Sequence, residues 1–319
     1  MPIIIRYTIA LILAFALGYG NVFSQYDPDY IVEFTSTKDS IKVRLVQDCR
    51  LYTERWDTLP QTRFWQTIMC MPKDTSLINI AKTRHVLGKV RTGLIDSMNR
   101  EEIEVYKDSI REVYGIDKEQ KLYITSGRDF YYKFQDAFAD VSPAIDEFGE
   151  MGVNPWYAQA ILFIESPGRN RRSNVGAYGS FQLMKGVARE MGLTVNRYKD
   201  ERKDLRKSAG AAAKFIKKVC IPRTKMILDE LGLGYHQDDL WFRLLVLHVY
   251  HAGYGNVRGA LLELKPRWGG PDLIKDLWQT EFRRFGNASQ NYSQVILASM
   301  VRADLLLTEW YERQCNCCP

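Results

Sequence analysis

The stretch Asn154-Pro155-Trp156-Tyr157-Ala158-Gln159-Ala160-Ile161-Leu162-Phe163-Ile164-Glu165-Ser166-Pro167-Gly168 decides how the chain is read. Asn154 suits a helix N-cap, and proline is at home at the first helical position because the missing N–H has no partner there anyway. Trp156 to Ile164 are hydrophobic nearly all round, which predicts a helix buried on every side. Pro167 and Gly168 end it. Such a helix needs a shell of other helices, and the sequence beyond it supplies one. Helical patterns run from near Ser180 to Gly192, from Leu205 to Val219, from Asp239 to Tyr250, from Val257 to Leu264, and from Ser289 to about Tyr311. The third of these helices, counting the buried one first, is Ala-rich and fits close packing. The region 136–319 therefore reads as an all-α domain, long enough to bury its own core.

Upstream the pattern differs. Residues 26–75 hold short alternating runs such as Ile41-Lys42-Val43-Arg44-Leu45-Val46, which suit half-buried strands, with Trp56, Phe64 and Trp65 available for a small core. From Thr75 the pattern turns helical. Asn99-Arg100-Glu101-Glu102 reads as a capping box opening a helix that runs to Val113 and stops before Gly115. Lys121 to Ile124 reads as a short strand, ending at Thr125-Ser126-Gly127. The expected fold class is mainly α, an all-α domain at 136–319 preceded by a small α+β region at 26–135 that carries no recognisable chemistry.

The composition is that of a globular chain: 319 residues, 46% hydrophobic, 26% charged, formal charge +6. That balance argues against disorder, collagen-like repeats and a polytopic membrane protein. Residues 1–25 stand apart. A single cation, Arg6, precedes an apolar run from Tyr7 to Leu17 and a small-residue exit at Gly18-Tyr19-Gly20, the pattern of a secretory signal peptide. The run is shorter than the roughly 20 apolar residues of a spanning helix, so no membrane span is expected after cleavage. The expected location is the periplasm or outer envelope. Export would expose Cys49, Cys70, Cys220, Cys315, Cys317 and Cys318 to an oxidising compartment, and one or more disulfides are favoured over a metal site. The cluster Cys315-Asn316-Cys317-Cys318 has no partner pair at zinc spacing, so no metal and no cofactor is expected.

Glu165 is the one residue whose position alone suggests chemistry. It ends a buried apolar helix, where low polarity and the negative pole of the helix dipole both raise a carboxyl pKa. A raised pKa is what a general acid near neutral pH requires. A surface glutamate in a last helical turn is the plainer alternative at this point.

The residues around it favour the acid. Glu165-Ser166, then Ser173, then Gly176-Ala177-Tyr178-Gly179-Ser180-Phe181-Gln182-Leu183-Met184 resemble the signature of the soluble lytic murein transglycosylase family, whose SLT domain has a goose-lysozyme-like fold. That family shows Glu-Ser, a later Ser, then Gly-Ala-x-Gly-Leu-Met-Gln-Leu-Met leading into a helix. Ser208-Ala209-Gly210-Ala211-Ala212 looks like its Ala-rich helix. Val249-Tyr250-His251-Ala252-Gly253-Tyr254-Gly255-Asn256-Val257 is similar to its Ala-Tyr-Asn-Ala-Gly-x-Gly-x-Val. Asn291-Tyr292-Ser293-Gln294 looks like the segment whose Tyr approaches the acid. The resemblance covers about half of the chain, in the manner of the exported, membrane-bound type D members.

The resemblance implies a lysozyme-like domain, a peptidoglycan glycan strand as partner, and cleavage of the bond between N-acetylmuramic acid and N-acetylglucosamine. Glu165 would act as acid and then base, closing a 1,6-anhydro ring on muramic acid, the N-acetyl group standing in for a second carboxylate. That fits the absence of Asp and Glu between Glu165 and Glu190. Ser166, Ser173 and Gln182 would bind sugar groups, Met184 would pack on the saccharide, Tyr250 and His251 would line the cleft, and Tyr292 would hold the acid. Core packing is the plainer role for Met184, Tyr250 and Tyr292.

The chain departs from the pattern at several places. The interval from Glu165 to Gly176 is one residue short, Ser180-Phe181 replaces Leu-Met, and His251 replaces Asn. Ala288-Ser289 stands where Glu-Thr is common. His251 is a candidate for titration between pH 6 and 7, or for a backbone bond at a helix end. The basic runs Arg169–Arg172 and Lys199–Lys207 suit an anionic wall or a solvated face. No basic run is interleaved with aromatics, so nucleic acid is not an expected partner. A muramidase that admits water, and a non-catalytic wall-binding or envelope-assembly module with a protein partner at residues 26–135, are the competing readings.

Overall fold

The computed structural model describes residues 29–35, 42–165 and 172–315. The signal segment at 1–25 and Ser166 lie outside the described residues. Two antiparallel strands come first, β1 (Asp29–Thr35) and β2 (Lys42–Asp48), with Asp29 opposite Asp48. A short helix α1 (Arg50–Thr53) and a single turn at Trp56–Thr58 lead into α2 (Pro60–Cys70). A three-stranded antiparallel sheet follows, in the order β4 (Val86–Arg91), β3 (Thr75–Ile80), β5 (Leu122–Ser126). Between β4 and β5 lie α3 (Thr92–Asp96) and α4 (Arg100–Tyr114).

The helical expectation from Thr75 onward is corrected here. Ser76, Leu77, Ile78 and Asn79 are all buried, because β3 is the central strand and is covered on both faces. A continuous short run of this kind has no period-2 alternation, so it does not announce itself as a strand. The capping box does form: Asn99 accepts from the N–H groups of Glu101 and Glu102, Glu102 accepts from Asn99 N–H, and Gly115 ends α4 in the left-handed region.

The helical part comprises α5 (Phe134–Glu150), α6 (Trp156–Glu165), α7 (Lys185–Glu190), α8 (Leu205–Phe215), α9 (Ile221–Glu230), α10 (Leu240–Ala252), α11 (Tyr254–Leu264), α12 (Pro271–Leu277) and α13 (Asn287–Cys315). The chain is thus mainly α with a small β component toward the N-terminus, as its patterns predict. A π-helical turn at Ile216–Cys220 joins α8 to α9. α7 begins at Lys185 rather than near Ser180. Residues 178–183 instead form a turn closed by the Tyr178–Leu183 bridge, with Gln182 at a φ of 45°.

α6 is the axis of the molecule. Every side chain from Trp156 to Ile164 is buried, and α5, α13 and β2 pack around it. Large apolar side chains buried in this way each contribute about 1.5–3 kcal/mol. Asn154 caps α6 by accepting from Trp156 N–H, and its amide donates to Asp29, which also accepts from Arg50 and from Arg243 of α10. Buried charges of this kind persist only when paired.

One hydrophobic core runs from Val43 and Leu45 through Phe64 and Ile68 to α6, α10 and α13. Among the described cysteines, Cys49, Cys70 and Cys220 are all free, so the disulfide expectation is not met by any of these three. Cys220 is wholly enclosed by core side chains, which pushes its thiol pKa up. No helix of the described residues is long and apolar enough to cross a membrane.

Candidate active site

The last turn of α6 opens into a cavity of about 750 Å³. Glu165 and Ile164 lie at its base. One wall comes from the start of α13 (Asn287, Asn291, Tyr292), and His251 lines it from the end of α10. β5 and the loop after it also line the cavity, as does Arg84 from the turn between β3 and β4. Among the described residues lining the cavity, Glu165 carries the only carboxyl group.

Burial pushes the Glu165 carboxyl up to about 7, while the hydrogen bond from Tyr292 pulls in the opposite direction. Tyr292 Oη donates to Glu165 Oε1 at 2.8 Å. Burial and the adjacent acid hold the Tyr292 phenol well above its usual range, so it stays a donor at any physiological pH. Tyr131 Oη donates to the carbonyls of both Ile164 (3.1 Å) and Glu165 (2.7 Å), in the last turn of α6 where carbonyls lack intrahelical partners. The acid is therefore held at side chain and backbone by two tyrosines from distant parts of the chain. Tyr131 follows an unremarkable loop and belongs to no motif; only the fold brings it to α6.

His251 stacks on the Tyr292 ring, with centroids 4.1 Å apart and planes 21° apart. One edge of the imidazole reaches solvent, but its cleft surroundings push the pKa down to about 4. The shift is downward from the expected interval between pH 6 and 7, and the ring serves as a flat wall to Tyr292. Tyr250 Oη donates to Phe181 O at 2.6 Å, and its ring packs 5.6 Å from Phe215. It ties α10 to the loop ahead of α7. The Glu165 charge adds to burial in raising its phenol pKa.

Ser173, Gln182 and Met184 do not line this cavity. Ser173 closes a tight turn: its N–H donates to Ala177 O, its Oγ accepts from Ala177 N–H, and its carbonyl accepts from Gly176 N–H. Gln182 sits at a left-handed corner with its amide donating to Gly179 O. Met184 precedes α7 and is 45% exposed.

The loop from Gly176 to Leu183 is clamped by Arg202, which donates to the carbonyls of Gly176 (3.0 Å) and Leu183 (2.8 Å) while Asp200 neutralises it. Burying this arginine makes it a strut instead of a ligand. The neighbouring basic run is also engaged, since Lys199 and Lys207 both pair with Glu201. Arg172 lies over the Tyr178 ring and pairs with Asp200, and residues 169–171 lie outside the described residues.

The arrangement can deliver a proton at neutral pH from an enclosed carboxylic acid and stabilise the carboxylate left behind through one phenolic hydrogen bond. No group of three or more His, Cys, Asp or Glu suited to a metal occurs among the described residues. Residues 144–265 match the family model of the transglycosylase SLT domain. The match spans Glu165, the Ser173–Met184 loop and Tyr250-His251; Tyr292 and the β5 wall lie beyond it. No curated protein matches the chain.

Proposed function

From the premise that the C-terminal half carries a transglycosylase SLT domain, a family of peptidoglycan-cleaving enzymes, we propose that this protein is a lytic transglycosylase acting on the bond between N-acetylmuramic acid and N-acetylglucosamine. The observation that carries the reading is the isolation of Glu165: a carboxyl group with pKa near 7, bonded to Tyr292, and without a second carboxyl along the cavity. Glycosidases of the ordinary kind need two carboxylates, whereas substrate-assisted ones need only one.

Glu165 donates its proton to the glycosidic oxygen as the C1–O bond breaks and the N-acetylglucosamine strand leaves as an alcohol. The N-acetyl group of muramic acid shields the cationic C1 from its own side. The Glu165 carboxylate then takes the proton of the muramoyl C6 hydroxyl, whose oxygen attacks C1 and closes the 1,6-anhydro ring. No water is consumed, and Glu165 ends protonated as it began. Tyr292 stabilises the intervening carboxylate. Ser173, Gln182 and Met184 belong to the loop ahead of α7, outside the cavity, which Tyr250 holds through Phe181, while His251 backs the Tyr292 ring. A wall substrate places the work outside the cytoplasm, in keeping with the signal-like residues 1–25.

Digestion of purified sacculi followed by mass spectrometry tests the reaction. Soluble fragments are expected to end in 1,6-anhydromuramic acid, one water lighter than hydrolysed ends. Fragments with only reducing muramic ends would make the protein a muramidase. Glu165→Gln is expected to lower release by about 10²–10⁴-fold, the usual range for removing a general acid. Sacculus binding without release by the parent protein would point to a non-catalytic wall-binding module.

A further inference from the structure

Arg84 is buried, 4% exposed, and lines the same cavity as Glu165. It occupies the turn between β3 and β4 with a φ of 59°, in the left-handed region, where a glycine or asparagine is the ordinary choice. Its guanidinium is surrounded by neutral groups. It donates to Asn79 Oδ1 (3.1 Å), Asn287 Oδ1 (3.2 Å) and Asn291 Oδ1 (2.5 Å), and lies 5.2 Å from the Tyr123 ring centroid. Nε has no partner. No carboxylate among the described residues pairs with Arg84, and burial pushes its pKa down to about 10.

A guanidinium has five N–H donors, and the hydrogen bonds above use three. An unpaired buried cation is costly, by several kcal/mol. Every other fully buried arginine here has a carboxylate partner: Arg202 has Asp200, and Arg243 has Asp29. Lys73 and Arg128 add two more cations along the cavity from its exposed side. Of the two unused donors Nε is wholly buried, which leaves the second Nη1 hydrogen, and the described lining carries three cations against the one carboxyl of Glu165, a balance that suits an anion. It shares the cavity with the acid: Asn291, which orients Arg84, and Tyr292, which holds Glu165, both line it from α13.

We propose that Arg84, oriented by Asn79, Asn287 and Asn291, binds a carboxylate borne by the glycan substrate beside the scissile bond. This rests on the glycan reading of the cavity. Two carboxylates share that chemistry, the lactyl group of muramic acid and those of an attached peptide. A neutral glycan of N-acetylglucosamine alone has neither. Arg84 thereby selects a muramic strand over an uncharged polysaccharide with the same backbone linkage.

The test measures affinity by calorimetry with the Glu165→Gln protein, so that no ligand is consumed. Its ligands are an N-acetylglucosamine oligomer, a peptide-free glycan strand and a peptide-bearing strand, the last two also with their carboxylates amidated. The carboxylate-bearing strands are expected to bind about tenfold or more tightly than their amidated forms, as for a charge-assisted hydrogen bond. Adding Arg84→Gln is expected to abolish that difference and leave the affinity for the neutral oligomer in place. Sensitivity of the peptide-free strand assigns the lactyl carboxylate, and sensitivity of the peptide-bearing strand alone assigns the peptide. Equal affinity for native and amidated forms of both strands overturns the proposal while leaving the glycan reading intact. Binding of no glycan overturns both. A difference between native and amidated strands that survives in the folded Arg84→Gln protein assigns the carboxylate to Lys73 or Arg128 and overturns the proposal, and circular dichroism of that variant checks its fold.

Discussion

In the proposed reaction Glu165 must be protonated when the glycosidic oxygen arrives and ionised a moment later, and its surroundings are balanced between those needs. Burial raises its pKa to about 7, and the Tyr292 hydrogen bond opposes that rise. Activity should accordingly fall as pH climbs through about 7, because the acid form is lost. Tyr292→Phe removes the group that favours the carboxylate, so the alkaline limb of kcat/KM is expected to move to higher pH; a pH–rate profile of the two proteins checks it, and an unmoved limb would show that the phenol does not tune the acid. Stability carries the same signature with a definite sign. The folded pKa lies above the ordinary value of 4.5, so the native state holds this proton more tightly than the unfolded chain. The contribution is complete below about pH 4.5 and is lost as pH rises through 7. Glu165→Gln, which cannot ionise, is expected to be more stable than the parent at pH 8.5, by on the order of 2 kcal/mol, and nearly equal to it at pH 4.5. Denaturant titrations at the two pH values measure this.

Between residue and molecule, the loop from Arg172 to Met184 shows how an element without regular structure is made rigid. Tyr178 bridges both Arg172 and Leu183, Arg202 clamps the carbonyls at its ends, and Tyr250 holds Phe181 from α10. Two glycines there differ in a way that separates backbone conformation from space. Gly176 (φ 91°) and Gly179 (φ 82°) are both left-handed, but a Cβ on Gly176 meets nothing within 4 Å, while one on Gly179 would lie 1.9 Å from the carbonyl oxygen of Arg202. Gly176→Ala is expected to cost about 1–2 kcal/mol from the φ angle alone. Gly179→Ala is expected to cost clearly more, about 3 kcal/mol or above, since the backbone of the buried Arg202 strut has to move. Urea denaturation of the two variants gives the comparison, and equal losses would contradict it.

At the scale of the molecule, residues 26–135 are bound into the helical part by more than contact. Gln159 in the middle of α6 donates to Val46 O and accepts from Val46 N–H, both at 2.8 Å, and Trp65 Nε1 donates to Gln294 Oε1 of α13 at 3.1 Å. Leu45, Phe64 and Ile68 belong to the same core as α6 and α13. The region also supplies Arg84 and the β5 wall of the cavity. A fragment of residues 136–319 would leave the Gln159 amide unpaired in apolar surroundings, at about 1–3 kcal/mol, and would expose the flank of the central helix. It is expected to lack a cooperative thermal transition and near-ultraviolet circular dichroism. A fragment melting cooperatively near the temperature of the full chain would show that the helical part folds alone.

Local signals carried some of this and not the rest. α6 was legible because a cap, a proline, a run of eight apolar residues broken only by Gln159, and a breaker follow one another in the chain; α4 was legible because a capping box needs only four neighbouring residues. The acid was legible for the same reason, as the end of that buried helix followed by the Gly176–Met184 motif. β3 was not, because a strand buried on both faces loses the alternation that marks strands, and its burial depends on β4, β5 and the turn that bears Arg84. The sequence by itself determined the helical class and the central helix, features whose energetics are settled within a few turns of backbone, and it pointed to Glu165 through motifs that resemble those of a known family. Only the tertiary structure decided that Tyr131 holds the backbone of that acid, that His251 stacks on Tyr292 and that Arg84 lines the same cavity with no carboxylate partner among the described residues. Those relations join residues tens to hundreds of positions apart, and burial and electrostatics depend on distance in space, which local pattern does not encode.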